Sequence, residues 1–311
     1  MRLEIKALSK SFGTNLVLKN LNFTADSGAA LGLLGRNGAG KTTTIRIIMQ
    51  VFPPDSGQVL LDGQPLRTET MSIGYLPEEK GLYPKFKIGH QLVYLGRLRG
   101  LSRSEAVTAV RYWLDRLSLA DAWDKKLETL SKGNQQKIQL ALALIADPRI
   151  VILDEPFSGL DPVNAQLLKT IVREQVAAGK IVLFSSHQMS YVEQFCDRVA
   201  LLNDGEIVLE GDLRAIKREH ARNRLLLTLA GGAARTFEQI DTLLSRQPTL
   251  RQHIQRLEPD SEGCLIHLTD QGSRSEILKQ LSEQGYDIEQ FRIAEPTLEQ
   301  IFVERVGETH D

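Results

Sequence analysis

Gly35-Arg36-Asn37-Gly38-Ala39-Gly40-Lys41-Thr42-Thr43 is the most informative run of this chain. It matches G-x-x-x-x-G-K-[ST], the pattern of a phosphate-binding loop. Ahead of it, Ala29-Ala30-Leu31-Gly32-Leu33-Leu34 is a short apolar run that reads as a buried strand. Behind it, Thr43-Thr44-Ile45-Arg46-Ile47-Ile48-Met49 opens a helix. Strand, glycine loop and helix form the context in which the pattern carries meaning. Gly35, Gly38 and Gly40 let the backbone take positive φ and approach an anion closely. Successive N–H groups and the positive end of the helix then face the phosphates. Lys41 is placed to reach the β- and γ-phosphates, and the Thr42 hydroxyl to hold Mg²⁺.

Working outward, Leu3, Ile5 and Ala7 alternate in a strand over residues 1–8, and Val17 to Thr24 reads as the returning strand. Ser9-Lys10-Ser11-Phe12-Gly13 between them reads as a turn. Phe12 is either a loop aromatic that caps a core or a face on which adenine stacks. Downstream of the loop helix, Gln58 to Asp62 and Ile73 to Leu76 are short strands. Residues 88–119 and 137–146 carry helical periodicity, with Ser131 where an N-cap belongs. Ile150-Val151-Ile152-Leu153-Asp154-Glu155 is a buried parallel strand that delivers two carboxylates at its C-terminal edge, where ligands bind in open α/β sheets. Two adjacent carboxylates are costly to bury without a cation, so the pair reads as functional. A helix follows over 162–178. Ile181 to Ser186 is the next buried strand and ends in His187, a helix spans 189–195, and residues 198–210 form a hairpin around Asn203-Asp204-Gly205.

Composition bounds the reading. The chain has 311 residues, room for about two domains. A net charge of −1 gives no basic footprint for nucleic acid. No apolar run approaches the roughly 18 residues needed to span a bilayer, and Met1-Arg2-Leu3-Glu4-Ile5-Lys6 has no signal-peptide core. Cys196 and Cys264 lack metal-ligand spacing, in keeping with a reduced, cytoplasmic setting.

Residues 1–212 resemble the nucleotide-binding subunit of an ATP-binding-cassette (ABC) transporter. Five ordered motifs carry the resemblance: the phosphate loop, Leu130-Ser131-Lys132-Gly133-Asn134, the acidic strand, Ser158-Gly159-Leu160-Asp161, and His187. It implies an α/β fold of P-loop NTPase type, a mixed sheet core with an antiparallel β subdomain and a helical subdomain near 86–146. It implies ATP and Mg²⁺ as ligands, the loop residues Gly35, Asn37, Gly38, Ala39, Gly40, Lys41, Thr42 and Thr43 holding the phosphates, and Phe12 stacking on adenine. By the same resemblance Asp154 holds the Mg²⁺ water shell with Thr42. Glu155 orients and polarises the attacking water as general base, and His187 contacts the γ-phosphate. Lys41 and Mg²⁺ offset the charge of the transferring phosphoryl group. Ser131 and Gly133 bind the ATP of a second subunit, identical or related, in a head-to-tail dimer with Asp161 at the interface.

Three positions in two motifs depart from the family pattern. Lys132 and Asn134 stand where glycine and glutamine are common, and Glu78 replaces the usual glutamine after the strand at 73–76. Glu78 can still bind Mg²⁺ or its water, but when ionised it cannot donate a hydrogen bond. Residues 75–83 and 130–137 look like those of a bacterial exporter branch that includes sodium-extrusion and drug-export ATPases. These work with separate membrane permeases, so a peripheral place on the cytoplasmic face of the inner membrane is expected. The surface near Glu78 to Tyr83 would receive the permease. The alternatives are an importer ATPase, or a soluble ABC ATPase acting on ribosomes or DNA. Against the last, DNA-repair relatives carry long insertions between phosphate loop and signature, whereas only 90 positions separate Lys41 from Ser131 here. Residues 213–311 read as an accessory α+β domain whose order β-α-β-β-α-β suggests a ferredoxin-like unit, dimer-stabilising or regulatory.

Overall fold

The computed structural model describes residues 1–67, 71–78, 81–157 and 160–307. The chain divides into two compact units, Met1–Leu213 and the residues from Arg214 on. The first unit opens with β1 (Arg2–Phe12), β2 (Asn15–Asp26), β3 (Ala30–Leu34) and α1 (Lys41–Ile48). Next come β4 (Ser56–Leu61), β5 (Gln64–Pro65), β6 (Ile73–Leu76), α2 (Ile88–Leu98), α3 (Arg103–Arg116) and α4 (Lys132–Leu144). It closes with β7 (Ile150–Asp154), α5 (Pro162–Ala177), β8 (Ile181–Ser186), α6 (Met189–Phe195), β9 (Arg198–Asn203) and β10 (Glu206–Asp212).

Two sheets build this unit. The larger has the order β10-β9-β3-β8-β7-β6. It is parallel from β9 to β6, with β10 antiparallel at one edge. Every residue of β3, β7 and β8 is buried, which is why these strands read as unbroken apolar runs in the sequence. The smaller sheet, β2-β1-β4-β5, is antiparallel. Leu3, Ile5, Leu18, Leu21 and Phe23 from it pack in one core with Leu31 and Leu33 of β3, Ile45 and Ile48 of α1, Ile150 and Ile152 of β7, and Leu183 of β8. Each such side chain, fully buried, contributes about 1.5–3 kcal/mol. α1 and the loop ahead of it are thereby fixed to the strand ends that carry the acidic residues.

Several boundaries differ from the sequence reading. Residues 9–12 are not a turn: β1 runs on to Phe12, paired with Asn15, so the reversal is the two-residue Gly13-Thr14. Backbone pairing with β2 and β4 overrides the turn-forming composition there. The helical pattern over 88–119 breaks after Leu98. Gly100 takes φ 93°, and Ser102 with Glu105 forms a capping box that starts α3. α4 starts at Lys132, ahead of the periodic run at 137–146 and at the point marked by the N-cap reading of Ser131, which accepts the Asn134 N–H at 3.3 Å. Ser158 and Gly159 of one sequence motif, and Glu79 and Lys80 of the loop after β6, lie outside the described residues.

In the second unit α7 (Leu213–His220) leads into β11 (Arg224–Leu229), α8 (Ala233–Arg246), α9 (Pro248–Arg251) and β12 (Ile254–Pro259). β13 (Cys264–Leu268), α10 (Arg274–Glu283), β14 (Ile288–Ile293) and α11 (Leu298–Gly307) complete it. The sheet order is β12-β13-β11-β14, antiparallel throughout. With α8 and α10 as the two crossovers this is the ferredoxin-like βαββαβ topology. Leu225, Leu227, Cys264 and Ile266 on one face of the sheet pack with Ile240 and Leu243 of α8 and Ile277 and Leu281 of α10. α7, α9 and α11 lie outside that six-element order.

Candidate functional site

Most of the candidate side chains converge at the C-terminal ends of the parallel strands. A cleft of about 250 Å³ is lined by Val17, Asn37, Gly38, Gly40, Lys41, Thr42, Thr43, Glu78, Asp154 and Glu155. Four pieces of chain supply it: β2, the β3–α1 loop with the first turn of α1, the segment after β6, and the end of β7.

The loop has the shape its glycines permit. Gly38 and Gly40 take φ 84° and 111°. A Cβ on Gly35 would stand 2.3 Å from the Leu202 carbonyl oxygen, so only glycine passes beneath β9 there. The N–H groups of Lys41, Thr42 and Thr43, the first three of α1, donate to no other described residue. They are donors at the positive end of a helix, which is the chemistry of an anion site. Lys41 is buried, and its Nζ donates to the carbonyls of Gly35 at 2.8 Å and Arg36 at 3.2 Å. Burial pushes the pKa of this ammonium down, opposed by the carboxylates of Glu155, Asp154 and Glu78.

The acidic pair is held by hydroxyls. Asp154 Oδ1 accepts the Ser185 hydroxyl at 2.7 Å and Oδ2 accepts the Tyr75 hydroxyl at 3.3 Å. Burial raises the Asp154 carboxyl above its ordinary value. The Ser185 bond opposes that rise, the neighbouring Glu155 charge adds to it, and the Tyr75 bond and Lys41 act against it. Glu155 sits just beyond β7 at φ 48°, a left-handed conformation that is strained for a residue with a side chain. Its Oε1 accepts the His187 backbone N–H at 2.7 Å and lies 2.7 Å from His187 Nδ1. An ionised carboxylate only accepts, so Nδ1 carries the proton of that contact. Glu155 Oε2 accepts the Ser186 hydroxyl at 3.0 Å.

Of the residues read from the sequence, Asn37, Gly38, Gly40, Lys41, Thr42, Thr43, Glu78, Asp154 and Glu155 line one cleft, and His187 joins it through Glu155. Gly35 and Ala39 shape the loop, the one through its carbonyl to Lys41, the other through an N–H to Arg36 at 3.2 Å. Phe12 is half exposed, edge-on to Phe52 at 5.5 Å between ring centroids, with Lys10 Nζ 5.7 Å from both rings. Ser131 and Gly133 stand at the N-terminus of α4, away from the lining of the cleft, with Ser131 exposed. Asp161 caps α5 by accepting the Asn164 N–H at 2.9 Å.

Tyr75, Ser185 and Ser186 were not read as site residues. A signal for the serines exists: Asp154 and Ser185 are register partners at the polar ends of two adjacent apolar strands. Aligning the two runs by their ends brings hydroxyls against carboxylates. Tyr75 has no such signal, because its partner in register is Ile152 and the contact is made only by the reach of the ring.

The residues present suit a nucleotide triphosphate with a divalent cation. Free helix N–H groups and Lys41 meet anionic oxygens. Among the lining residues three carboxylates face that single ammonium, an excess of negative charge that a divalent cation offsets.

The chain is similar to known proteins. A family model described as ABC transporter matches residues 18–158, and one for the C-terminal domain of DrrA1-3-like ATP-binding proteins matches residues 211–306. The uncharacterized ABC transporter ATP-binding protein YhaQ of Bacillus subtilis is 39% identical over 99% of this chain and 100% of its own length. The Nod factor export ATP-binding protein I of Burkholderia lata is 35% identical over 69% of this chain and 72% of its own. Among solved structures, an ATP-binding subunit of an ABC transporter superposes with a TM-score of 0.65 at 31% identity, over 71% of this chain and 93% of that one. Phosphate loop, acidic strand end and full-length similarity agree: the chain belongs to the ATP-binding proteins of the ABC transporter family.

Proposed function

We propose that this ATPase drives export through a separate integral membrane permease, from the cytoplasmic face of the inner membrane, as one half of a homodimer or heterodimer of ATP-binding chains. The observation that supports the chemistry most directly is Glu155. It is a carboxylate on a strained turn at a strand end, gripped at both oxygens and lining the same cleft as Lys41.

In this reading the loop N–H groups and Lys41 bind the β- and γ-phosphates and offset charge as the phosphoryl group leaves. Glu155 orients the attacking water and takes its proton. His187, held by Glu155, contacts the γ-phosphate and helps to position that water. Thr42, Asp154 and Glu78 would hold Mg²⁺, which supplies further charge neutralisation on the phosphates. Phe12 stacks on adenine. Ser131 and Gly133, at the exposed N-terminus of α4, serve the nucleotide of the partner subunit. The export direction draws on the Nod factor relative and on the variants at 75–83 and 130–137. Among the described residues no helix is long and apolar enough to cross a membrane, so a spanning partner is required for transport.

The test is to trap the tagged Glu155→Gln chain with ATP, extract membranes in mild detergent and identify what co-purifies. A polytopic membrane protein is expected. Ribosomal proteins or DNA-repair factors with no membrane partner would refute the transporter role and leave the ATP chemistry standing.

A further inference from the structure

The turn after β8 does more than present His187. Its three residues make four connected hydrogen bonds. His187 gives its backbone N–H and Nδ1–H to Glu155 Oε1, each at 2.7 Å. Ser186 gives its hydroxyl to Glu155 Oε2 at 3.0 Å. The Gln188 N–H donates to Ser186 Oγ at 3.0 Å. Ser186 is 2% exposed and Glu155 6%, so water does not compete freely for these groups.

The direction of these bonds matters. A serine hydroxyl has one proton and two lone pairs. The Gln188 N–H occupies an acceptor site on Oγ, which leaves the proton to point at Glu155. A carboxylate held at Oε1 alone can still swing about its last torsion, which is broad and roughly two-fold. A second donor at Oε2 removes that freedom. Glu155 starts from a strained φ of 48°, so its backbone does not by itself secure the side chain.

We propose that Ser186 is a positioning residue for ATP hydrolysis: its hydroxyl, oriented by the Gln188 N–H, locks the plane of the Glu155 carboxylate. This rests on the reading of Glu155 as the water-activating group. Ser186 acts through that carboxylate and does not line the cleft that holds nucleotide. Removing its hydroxyl therefore slows turnover without weakening ATP binding. A hydrogen bond to a charged group sets the scale, a fall in kcat on the order of tenfold to a hundredfold.

The experiment measures steady-state ATPase rates and nucleotide affinity of the full chain as Ser186→Ala, Ser186→Thr and Ser186→Cys, and repeats Ser186→Ala in a Glu155→Gln background under single-turnover conditions. The expected results are a reduced kcat with unchanged KM and Kd in Ser186→Ala, recovery in Ser186→Thr, which keeps the hydroxyl, and an intermediate rate with the weaker thiol donor. In the Glu155→Gln background the serine change costs nothing more, because the carboxylate it positions is gone. Wild-type kcat in Ser186→Ala overturns the proposal. So does an equal loss in both backgrounds, or a loss that appears in ATP affinity, since either marks a structural role. If Ser186→Ala does not fold, the threonine and cysteine variants decide by the same criteria. Should Glu155→Gln itself turn over at the wild-type rate, the underlying reading of Glu155 fails instead, and the two failures are distinct.

Discussion

Replacing Glu155 by glutamine changes one atom and one charge, and its consequences can be worked out from the contacts of that side chain. The amide oxygen can occupy the place of Oε1 and keep both donors of His187, the N–H and Nδ1–H now 2.7 Å away. The NH₂ then takes the place of Oε2 and faces Ser186 Oγ. That oxygen accepts the Gln188 N–H and has a second lone pair to accept the amide, provided its own proton turns aside. Three charge-assisted bonds become neutral ones, at a cost of about 1–2 kcal/mol. Against this, a negative charge beside Asp154 disappears, and that charge is one of the causes that disfavour ionised Asp154. The net change in folding stability should be about 1 kcal/mol or less, a shift in Tm of about 2–4 °C. Turnover loses the whole contribution of a general base, about 10²–10⁴-fold. ATP affinity should hold, because Lys41 and the loop N–H groups are untouched. The assay is phosphate release together with nucleotide binding and a thermal melt on the same preparation. Slow hydrolysis, retained binding and a near-native melt are expected, with accumulation of an ATP-bound dimer. Turnover within about threefold of wild type would refute Glu155 as the water-activating group.

Other perturbations probe other parts of the site. Gly35→Ala places a Cβ 2.3 Å from the Leu202 carbonyl, a backbone atom that cannot step aside. It should destabilise the chain by about 1–3 kcal/mol and weaken ATP binding by displacing the carbonyl that holds Lys41, and an unchanged urea midpoint with normal affinity would contradict this. Phe12→Ala should weaken ATP affinity by about 1–3 kcal/mol in a calorimetric titration if the half-exposed ring stacks on adenine, whereas unchanged affinity would return Phe12 to its edge contact with Phe52. The Asp154 carboxyl is raised by burial, so the folded chain binds this proton more tightly than the unfolded chain, and its effect on stability is most favourable below the unfolded value of about 4. As pH rises through the raised folded value, the fold loses stability to this group. Asp154→Asn should therefore gain stability over wild type in urea unfolding as pH rises above about 4, while losing hydrolysis, and a gain that does not grow with pH would count against the burial argument.

The positions of the helices and strands were largely legible because hydrophobic period is a local property. β6, β8 and α6 begin and end where their patterns do, at Ile73–Leu76, Ile181–Ser186 and Met189–Phe195. The errors came where a tertiary partner overrides local preference, as with residues 9–12, three of them polar, which read as a turn yet pair with β2 and β4. The split between α2 and α3 was written in the sequence as Gly100 followed by Ser102 and Glu105, a stop and a capping box within an otherwise continuous periodic pattern.

At the site, residue types at short spacing already point to the chemistry. Glycines at 35, 38 and 40, the lysine and threonine after them, and adjacent carboxylates ending an apolar strand name a phosphate and a cation, because those functions depend on residue type at fixed short spacing. Tertiary structure alone decided which groups hold those residues in place. Tyr75 reaches Asp154 from 79 positions away in the chain, and Ser185 and Ser186 reach Asp154 and Glu155 from 31. Hydroxyls like these have no signature of their own. Their role comes from the register that sets β7 beside β6 and β8, and register is fixed by the packing of whole strands rather than by any one residue.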